Sequence, residues 1–537
     1  MKPNVMLWPC FHRRSRLNPV LSLGWISLAA CFWVTKSEVS AQDVAALLED
    51  SIIKVVEKAE PAVVSIARFK PSPEEPLPEM HRAFPQVMRR MGEAPRNISI
   101  HPNDFGTGCL ISPANSADRF VLTNYHLVRG GPIYDKTKSD GRAFKADDNT
   151  ELLIHFTDRR GCRAAIIAAD PRSDLAVLRL DWDRSGLKPA DFPSLEWDNS
   201  HSPKKGQFVI LLGNPHAIAR DGSASVSWGM VSNLTRQPIS PNRSQDIDPD
   251  EMIRGSMLHR LGAVMQLDAK MNLGMSGGPV LNLKGELIGI STSLAAIEGY
   301  EQSAGFALPI DNLTRRIIRT LLAGQEVEYG MIGITPGSIG GEQFAHFQTG
   351  APQQSAVLVQ RVANGSPAHL AKLHSGDIIL KVEDTPVLSS SDLMRLVGLH
   401  SPGSEIHLTI WRHGSRLSES IPVKLGKWPV QDAEGVIETN PRYAPWRGLT
   451  VDYPTARENL RDREDSYDFR RVIVTRVKPN SPADAIRLEP GTFITHVNNT
   501  AVQTPAEFYA AVKGLSGTVT LRLHGKTVRI PESPGRE

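Results

Sequence analysis

The spacing of apolar residues along the chain changes character several times. In DVAALLEDSIIKVVEKAEPAVVSIARF, residues 43–69, apolar positions recur at helical spacing as far as Lys58. Pro61 breaks that pattern, and AVVSIARF reads as a strand. Residues 70–102 hold Pro71, Pro73, Pro76, Pro78, Pro85, Pro95 and Pro102, which predicts a long loop with one short helix near FPQVMRRM. From about 105 to 310 short β-rich runs follow one another: GTGCLIS, RFVLTNYHLV, ELLIHF, CRAAIIAAD, LAVLRL, QFVILLG, GMVSNL, AVMQLD, GPVLNL and ELIGIST. Gly, Asn, Asp and Pro punctuate them, the pattern of an all-β barrel or sandwich rather than of βαβ units.

The C-terminal part repeats. VLVQRVANGSPAHLAKLHSGDIILKVEDTPV (357–387) and VIVTRVKPNSPADAIRLEPGTFITHVNNTAV (472–502) align at a constant offset of 115, and 13 of 31 positions are identical. A helix start follows in each copy. Ser389 precedes SSDLMRLV, and Thr504, Pro505 and Glu507 form a capping box with proline in the first turn. The chain therefore carries two copies of one small α+β module.

A length of 537 residues exceeds what one core supports, which fits several domains. The formal charge of +3 comes from the N-terminus, where Lys2, Arg13, Arg14, Arg16 and Lys36 face only Glu38. The rest of the chain is close to neutral, and no nucleic-acid partner is expected. HRRSR, the apolar run Val20–Val34 and VSA ending at Ala41 predict a signal peptide over residues 1–41, its apolar run short of the ~20 residues a spanning helix needs. The expected destination is the periplasm or cell envelope. LAAC ending at Cys31 leaves a lipoprotein anchor open, Arg13-Arg14 a twin-arginine route, and an uncleaved signal anchor is a further alternative. Beyond that segment only Cys109 and Cys162 remain. No Cys/His spacing suggests a metal site, and no cofactor is expected.

The candidate chemistry lies in the β-rich region. Ser276, in NLGMSGGPVLNLKGELIGIS, sits among glycines that suit either a tight turn or a nucleophile approached closely by substrate. A serine hydroxyl needs a base and a carboxylate that orients the base. VLTNYHLV places His126 at a strand end, and DPRSDLAVLRL places Asp174 at the mouth of another strand. Gly274-Met275-Ser276-Gly277-Gly278 also fits the Gly-x-Ser-x-Gly elbow. That motif needs a helix directly after the serine and partners later in the chain, whereas here a strand follows and both partners lie upstream. The order His, Asp, Ser is the chymotrypsin arrangement.

With these residues in place, the chain resembles the HtrA/Deg family of exported trypsin-like serine proteases. The resemblance rests on VLTNYHLV, DPRSDLAVLRL, LLGNPHAI, GMVSNL, QLDAKMNLGMSGGPVLNLKGELIGIST and GFALPID in family order, followed by two PDZ-like copies. It implies a multidomain, mainly β architecture: a chymotrypsin-like double β-barrel protease domain over 42–325 and small α+β PDZ domains over 328–427 and 440–535. It implies a catalytic triad of His126, Asp174 and Ser276, an oxyanion hole from the N–H groups of Gly274 and Ser276, and a substrate-binding strand with Ile290, Ser291 and Thr292. Gly277 and Gly278 look like spacers that admit the substrate.

In the first PDZ copy Met331, Ile332, Gly333 and Ile334 match the family's peptide-binding loop. The second copy departs from it: RGLTV reads with Thr450 where glycine is usual, and GTFI at 491–494 replaces the usual Gly-Asp. Other departures are Met275 before the nucleophile, Leu273 in place of a proline, and Lys270 where a small residue is common. The implied function is cleavage of unfolded or damaged proteins, with C-terminal peptides bound by PDZ domains, in a homo-oligomer of trimers or multiples. A proteolytically silent chaperone or peptide-binding scaffold on the same fold is the alternative.

Overall fold

The computed structural model describes residues 41–69, 104–134, 150–214, 223–236, 264–292 and 305–532, apart from short gaps at 416, 431–434, 457–468 and 524. The predicted signal peptide, the proline-rich loop and the helix near FPQVMRRM lie outside these residues. Helix α1 spans Ala41–Ala59, and Val55 and Ala59 on its second half enter the protease core. Among the described residues no helix is long and apolar enough to cross a membrane.

Twelve strands build two barrels. β1 (Val63–Phe69), β2 (Asp104–Ile111), β3 (Phe120–Asn124), β4 (Glu151–Phe156), β5 (Gly161–Asp170) and β6 (Leu175–Leu180) run in the order β5-β4-β1-β2-β3-β6, closed by β5–β6 pairing. β7 (Phe208–Gly213), β8 (Ser225–Arg236), β9 (Val264–Leu267), β10 (Pro279–Leu281), β11 (Leu287–Thr292) and β12 (Gly305–Pro309) close the second barrel in the order β10-β11-β12-β9-β8-β7. Closure leaves no unpaired edges, so the strand-rich sequence needs no covering helices. Ile210, Leu212, Leu281, Leu287 and Ile290 of the second barrel join the core of the first, which fixes the groove between barrels where chemistry can sit. Cys109 and Cys162 are both buried free thiols, not a disulfide.

α3 (Asn312–Leu322), capped by the Asp311 carboxylate on the Thr314 N–H, leads to the repeats. The first contains β13 (Gly330–Met331), β14 (Ile334–Gly340), β15 (Ser355–Val362), α4 (Pro367–Leu370), β16 (Ile378–Val382), β17 (Thr385–Pro386), α5 (Ser390–Gly398), β18 (Glu405–Trp411), β19 (Glu419–Lys424) and β20 (Gly426–Lys427). Its main sheet runs β14-β15-β16-β18-β19, with β14 at an edge. Ser389 caps α5 by accepting from the Asp392 N–H.

Between the repeats, β21 (Ile437–Glu438) pairs with Ala168 and Ala169 of β5, so the connector extends the protease sheet. The second repeat copies the first: β22 (Leu449–Asp452), β23 (Val472–Val477), α6 (Pro482–Ala485), β24 (Phe493–Val497), β25 (Thr500–Ala501), α7 (Pro505–Val512), β26 (Val519–Leu523) and β27 (Thr527–Ile530).

A buried charge cluster ties these parts together. Lys427, fully buried, places Nζ 3.1 Å from Glu326, 3.3 Å from Glu328 and 2.8 Å from Asp452 of the second repeat. Glu326 also faces Arg172 at 3.5 Å, and Arg172 pairs with Asp170 at 2.8 Å, at the end of β5. A charge this deep persists only when paired, so the cluster specifies one docking of the three domains.

Candidate active site

β3 runs directly into a single helical turn, α2 (Tyr125–Val128), which carries His126. Asp174 lies in the turn between β5 and β6 at φ 54°, a left-handed backbone that Asp tolerates better than most residues. The backbone carbonyl of Asp174 accepts from Asn124 Nδ2 and from the Tyr125 N–H, both at 3.0 Å. Its carboxylate accepts the His126 N–H at 3.0 Å and faces the ring, Nδ1 lying 2.8 Å from Oδ2 and 3.1 Å from Oδ1. Asp174 is 3% exposed, so little water competes for those lone pairs. The carboxylate stabilises the tautomer protonated on Nδ1 and leaves Nε2 as an acceptor.

Ser276 is buried in the loop before β10. The Met275 N–H donates to the Asn272 carbonyl at 3.1 Å, closing a turn whose third residue, Gly274, has φ 95°. Such a turn wants glycine there. Thr107 of β2 holds the loop from the first barrel. Its N–H donates to the Ser276 carbonyl at 2.8 Å and its Oγ1 to the Gly274 carbonyl at 2.7 Å, while Oγ1 accepts the Asn214 N–H at 3.0 Å. The Gly274 N–H makes no hydrogen bond among the described residues.

Gly277 has a structural duty. A Cβ there, at φ 82°, would stand 2.1 Å from the Thr107 carbonyl oxygen and 2.4 Å from Thr123 Oγ1. At Gly278 it would meet the Leu212 carbonyl oxygen at 2.4 Å. The two glycines let the loop press against both barrels, a structural duty beside the one expected of them towards substrate. The contact with Thr123, three residues before His126, brings the Ser276 loop to the strand that carries the histidine.

Ile290, Ser291 and Thr292 lie in β11 beside the loop, all buried. Ile290 enters the core shared by the barrels. Ser291 Oγ donates to the carbonyls of Met275 at 2.6 Å and Gly278 at 3.0 Å, and the Gly277 N–H donates to the Ser291 carbonyl at 2.8 Å. Thr292 pairs with Phe306 of β12. The Met275 side chain belongs to the core of the second barrel, and Lys270 is exposed to solvent. Neither departure puts a side chain between the serine loop and His126. Thr107 and Ser291 escaped the sequence reading as supports of the loop; the only trace is a small polar residue inside a glycine-flanked strand.

In the first repeat, Met331 pairs in β13, Ile332 is buried in the module's core, and Gly333 at φ 79° packs on Ser366, where a Cβ would lie 2.4 Å from the serine Cβ. Ile334 opens β14. The Ile332 and Gly333 carbonyls accept from Ala368 and Ala363, and their N–H groups make no hydrogen bond among the described residues. The second repeat reproduces this at the offset of 115. Gly448, φ 83°, packs on Ser481, and the Arg447 and Gly448 carbonyls accept from Ala483 and Lys478. Its loop glycine is therefore Gly448, and Thr450 lies two residues further on in β22. The sequence reading with Thr450 in the glycine's place was out of register. The real differences are Trp446 and Arg447 for Met331 and Ile332.

Two closed six-stranded barrels with this site between them, followed by two such modules, define a trypsin-like serine peptidase with PDZ domains. The chain matches the trypsin-like peptidase domain family over residues 106–290 and the PDZ domain family over 330–423. It is 28% identical over 508 residues to a probable periplasmic serine endoprotease DegP-like of Pseudomonas fluorescens, covering 91% of this chain and 93% of that protein. A protein of the same name from Ectopseudomonas mendocina is 29% identical over 475 residues, covering 84% and 86%. Among solved structures, the HtrA-type protease AlgW with tripeptide aligns at a TM-score of 0.48 and 22% identity, over 71% of this chain and 99% of that one. The chain thus carries a trypsin-like peptidase domain and a PDZ domain, and over most of its length it is similar to proteins named as DegP-like serine endoproteases.

Proposed function

We propose that Ser276, His126 and Asp174 are the catalytic triad of an exported endopeptidase that cuts unfolded or damaged polypeptides. The observation that carries this is the buried Asp174 carboxylate 2.8 Å from His126 Nδ1. With Nδ1–H so held, Nε2 accepts the Ser276 proton as Oγ attacks the scissile carbonyl, then returns it to the leaving amine. Asp174 stabilises the imidazolium in between. The backbone N–H groups of Gly274 and Ser276 receive the developing oxyanion, a contribution of about 10²–10³ in rate per donor. Water repeats the sequence on the acyl-enzyme, with His126 as the base.

Ile290, Ser291 and Thr292 serve substrate binding through backbone and position: Ser291 holds the nucleophile loop while β11 runs alongside it. The first PDZ module binds chain ends at Met331–Ile334, where two N–H groups are free to receive a carboxylate. Residues 1–41 direct export to the periplasm or cell envelope, and the protein works as a homo-oligomer. Support for periplasmic export comes from the named relatives and the N-terminal pattern. The test is turnover of an unfolded casein by the chain from residue 42 onward, compared with Ser276→Ala and Asp174→Asn. Asp174→Asn should lower kcat by about 10⁴, because the amide favours the wrong imidazole tautomer. Equal turnover by all three proteins would refute the assignment.

A further inference from the structure

The two repeats differ in what their grooves offer a bound chain. A peptide added to an edge strand pairs with alternate residues, each of which contributes an outward N–H and C=O. In the second repeat the Val451 N–H is one such group: it donates at 3.3 Å to the hydroxyl of Tyr509 on α7. The offset of 115 makes Pro336 the counterpart of Val451, and both strands carry the same register irregularity, at 335/336 and 450/451. Proline has no N–H. Two residues beyond it, Ser338 reaches the first turn of α5. Its Oγ lies 3.0 Å from Ser390 Oγ and accepts the Ser390 N–H at 2.9 Å, bridging strand and helix.

From Ile334 to Ser338 the edge is ~13 Å long at 3.3 Å per residue. The first groove keeps the two N–H groups of its loop at Ile332 and Gly333, unpaired among the described residues and just before this edge; along the edge it lacks the donor at Pro336 and is spanned at Ser338. The second repeat has the donor, but its own Tyr509 occupies it, with Tyr443 stacked on that ring at 4.4 Å.

We infer that the first PDZ module reads only the terminal carboxylate and last two residues of a chain, and that residues further in add nothing to binding. This rests on the chain-end reading above. It suits an enzyme that must accept many unrelated fragments, because the only common feature demanded is a free carboxylate beside a short tail.

The test uses the protein carrying Ser276→Ala and peptides of two, four and ten residues. All share a C-terminal Ala-Leu and are labelled through an N-terminal ethylene-glycol spacer. Anisotropy should give dissociation constants within about threefold of one another. Pro336→Val, which supplies the residue found in the second repeat, should tighten the four-residue peptide by about two- to tenfold, the worth of one hydrogen bond, and leave the two-residue peptide unchanged. A rise of tenfold or more with length in the Ser276→Ala protein, or a Pro336→Val gain shared equally by the two-residue peptide, would overturn the inference. If none of the peptides binds, or if C-terminal amides bind as well as acids, the chain-end reading itself fails and this inference with it.

Discussion

Thr107→Val is an instructive perturbation because it removes one oxygen and leaves the volume nearly unchanged. Thr107 Oγ1 donates to the Gly274 carbonyl at 2.7 Å and accepts from the Asn214 N–H at 3.0 Å. Valine removes both bonds, and the loss at the buried Gly274 carbonyl alone costs about 1–3 kcal/mol, less whatever local relaxation recovers. The larger effect concerns rate. The peptide plane between Gly274 and Met275 separates the two proposed oxyanion donors, and Thr107 Oγ1 is what holds its carbonyl. Freed from that bond the plane can rotate, and loss of one donor costs about 10²–10³ in kcat. Steady-state cleavage of a fluorogenic peptide should show that fall in kcat with KM changed less than about threefold. Thr107→Ser, which keeps the hydroxyl, should restore most of the rate. A Thr107→Val protein within threefold of wild-type kcat would refute the idea that Thr107 sets the loop.

Gly277→Ala should destabilise the protease domain, because its Cβ would meet the Thr107 carbonyl oxygen at 2.1 Å; a folded, active alanine variant with altered cleavage preference would favour a spacer role instead. Lys427→Met removes the cation shared by Glu326, Glu328 and Asp452, although Glu326 keeps Arg172 and Glu328 keeps Arg442. Breaking such a cluster costs about 3–5 kcal/mol, and limited digestion with a glutamate-specific protease should cut the connector at Glu434 or Glu438 faster than in wild type. Burial pushes the Cys109 thiol up to about 12 and the Cys162 thiol further still. Neither should react with Ellman's reagent at pH 8 until the protein unfolds, and mass spectrometry of alkylated protein checks this.

The three residues proposed as the triad stand out in the sequence because each sits at a strand end whose apolar pattern is strong: His126 after FVLTN, Asp174 before LAVLRL, Ser276 before PVL. Closed barrels convert those ends into neighbours, which fixed spacing in sequence never shows. Thr107 was invisible for the opposite reason, since its partners, Gly274, Ser276 and Asn214, are more than 100 residues away. The helices of the repeats announced themselves through Ser389 and Thr504, whose hydroxyls accept from Asp392 and Glu507 as caps. The loop of the second repeat misled because Gly-Leu-Thr invites a glycine-to-threonine alignment, and only packing of Gly448 on Ser481 sets the register. Nor could two residues, Ile437 and Glu438, reveal from sequence that a connector joins the protease sheet.

The central claim is that Ser276 is the nucleophile. Treating the purified chain with a biotinylated fluorophosphonate and locating the adduct by peptide mass spectrometry tests it most directly. A single adduct on Ser276, formed by wild type and lost in His126→Ala, is the result this account predicts. Labelling of a different serine, or labelling of Ser276 that does not depend on His126, would contradict it.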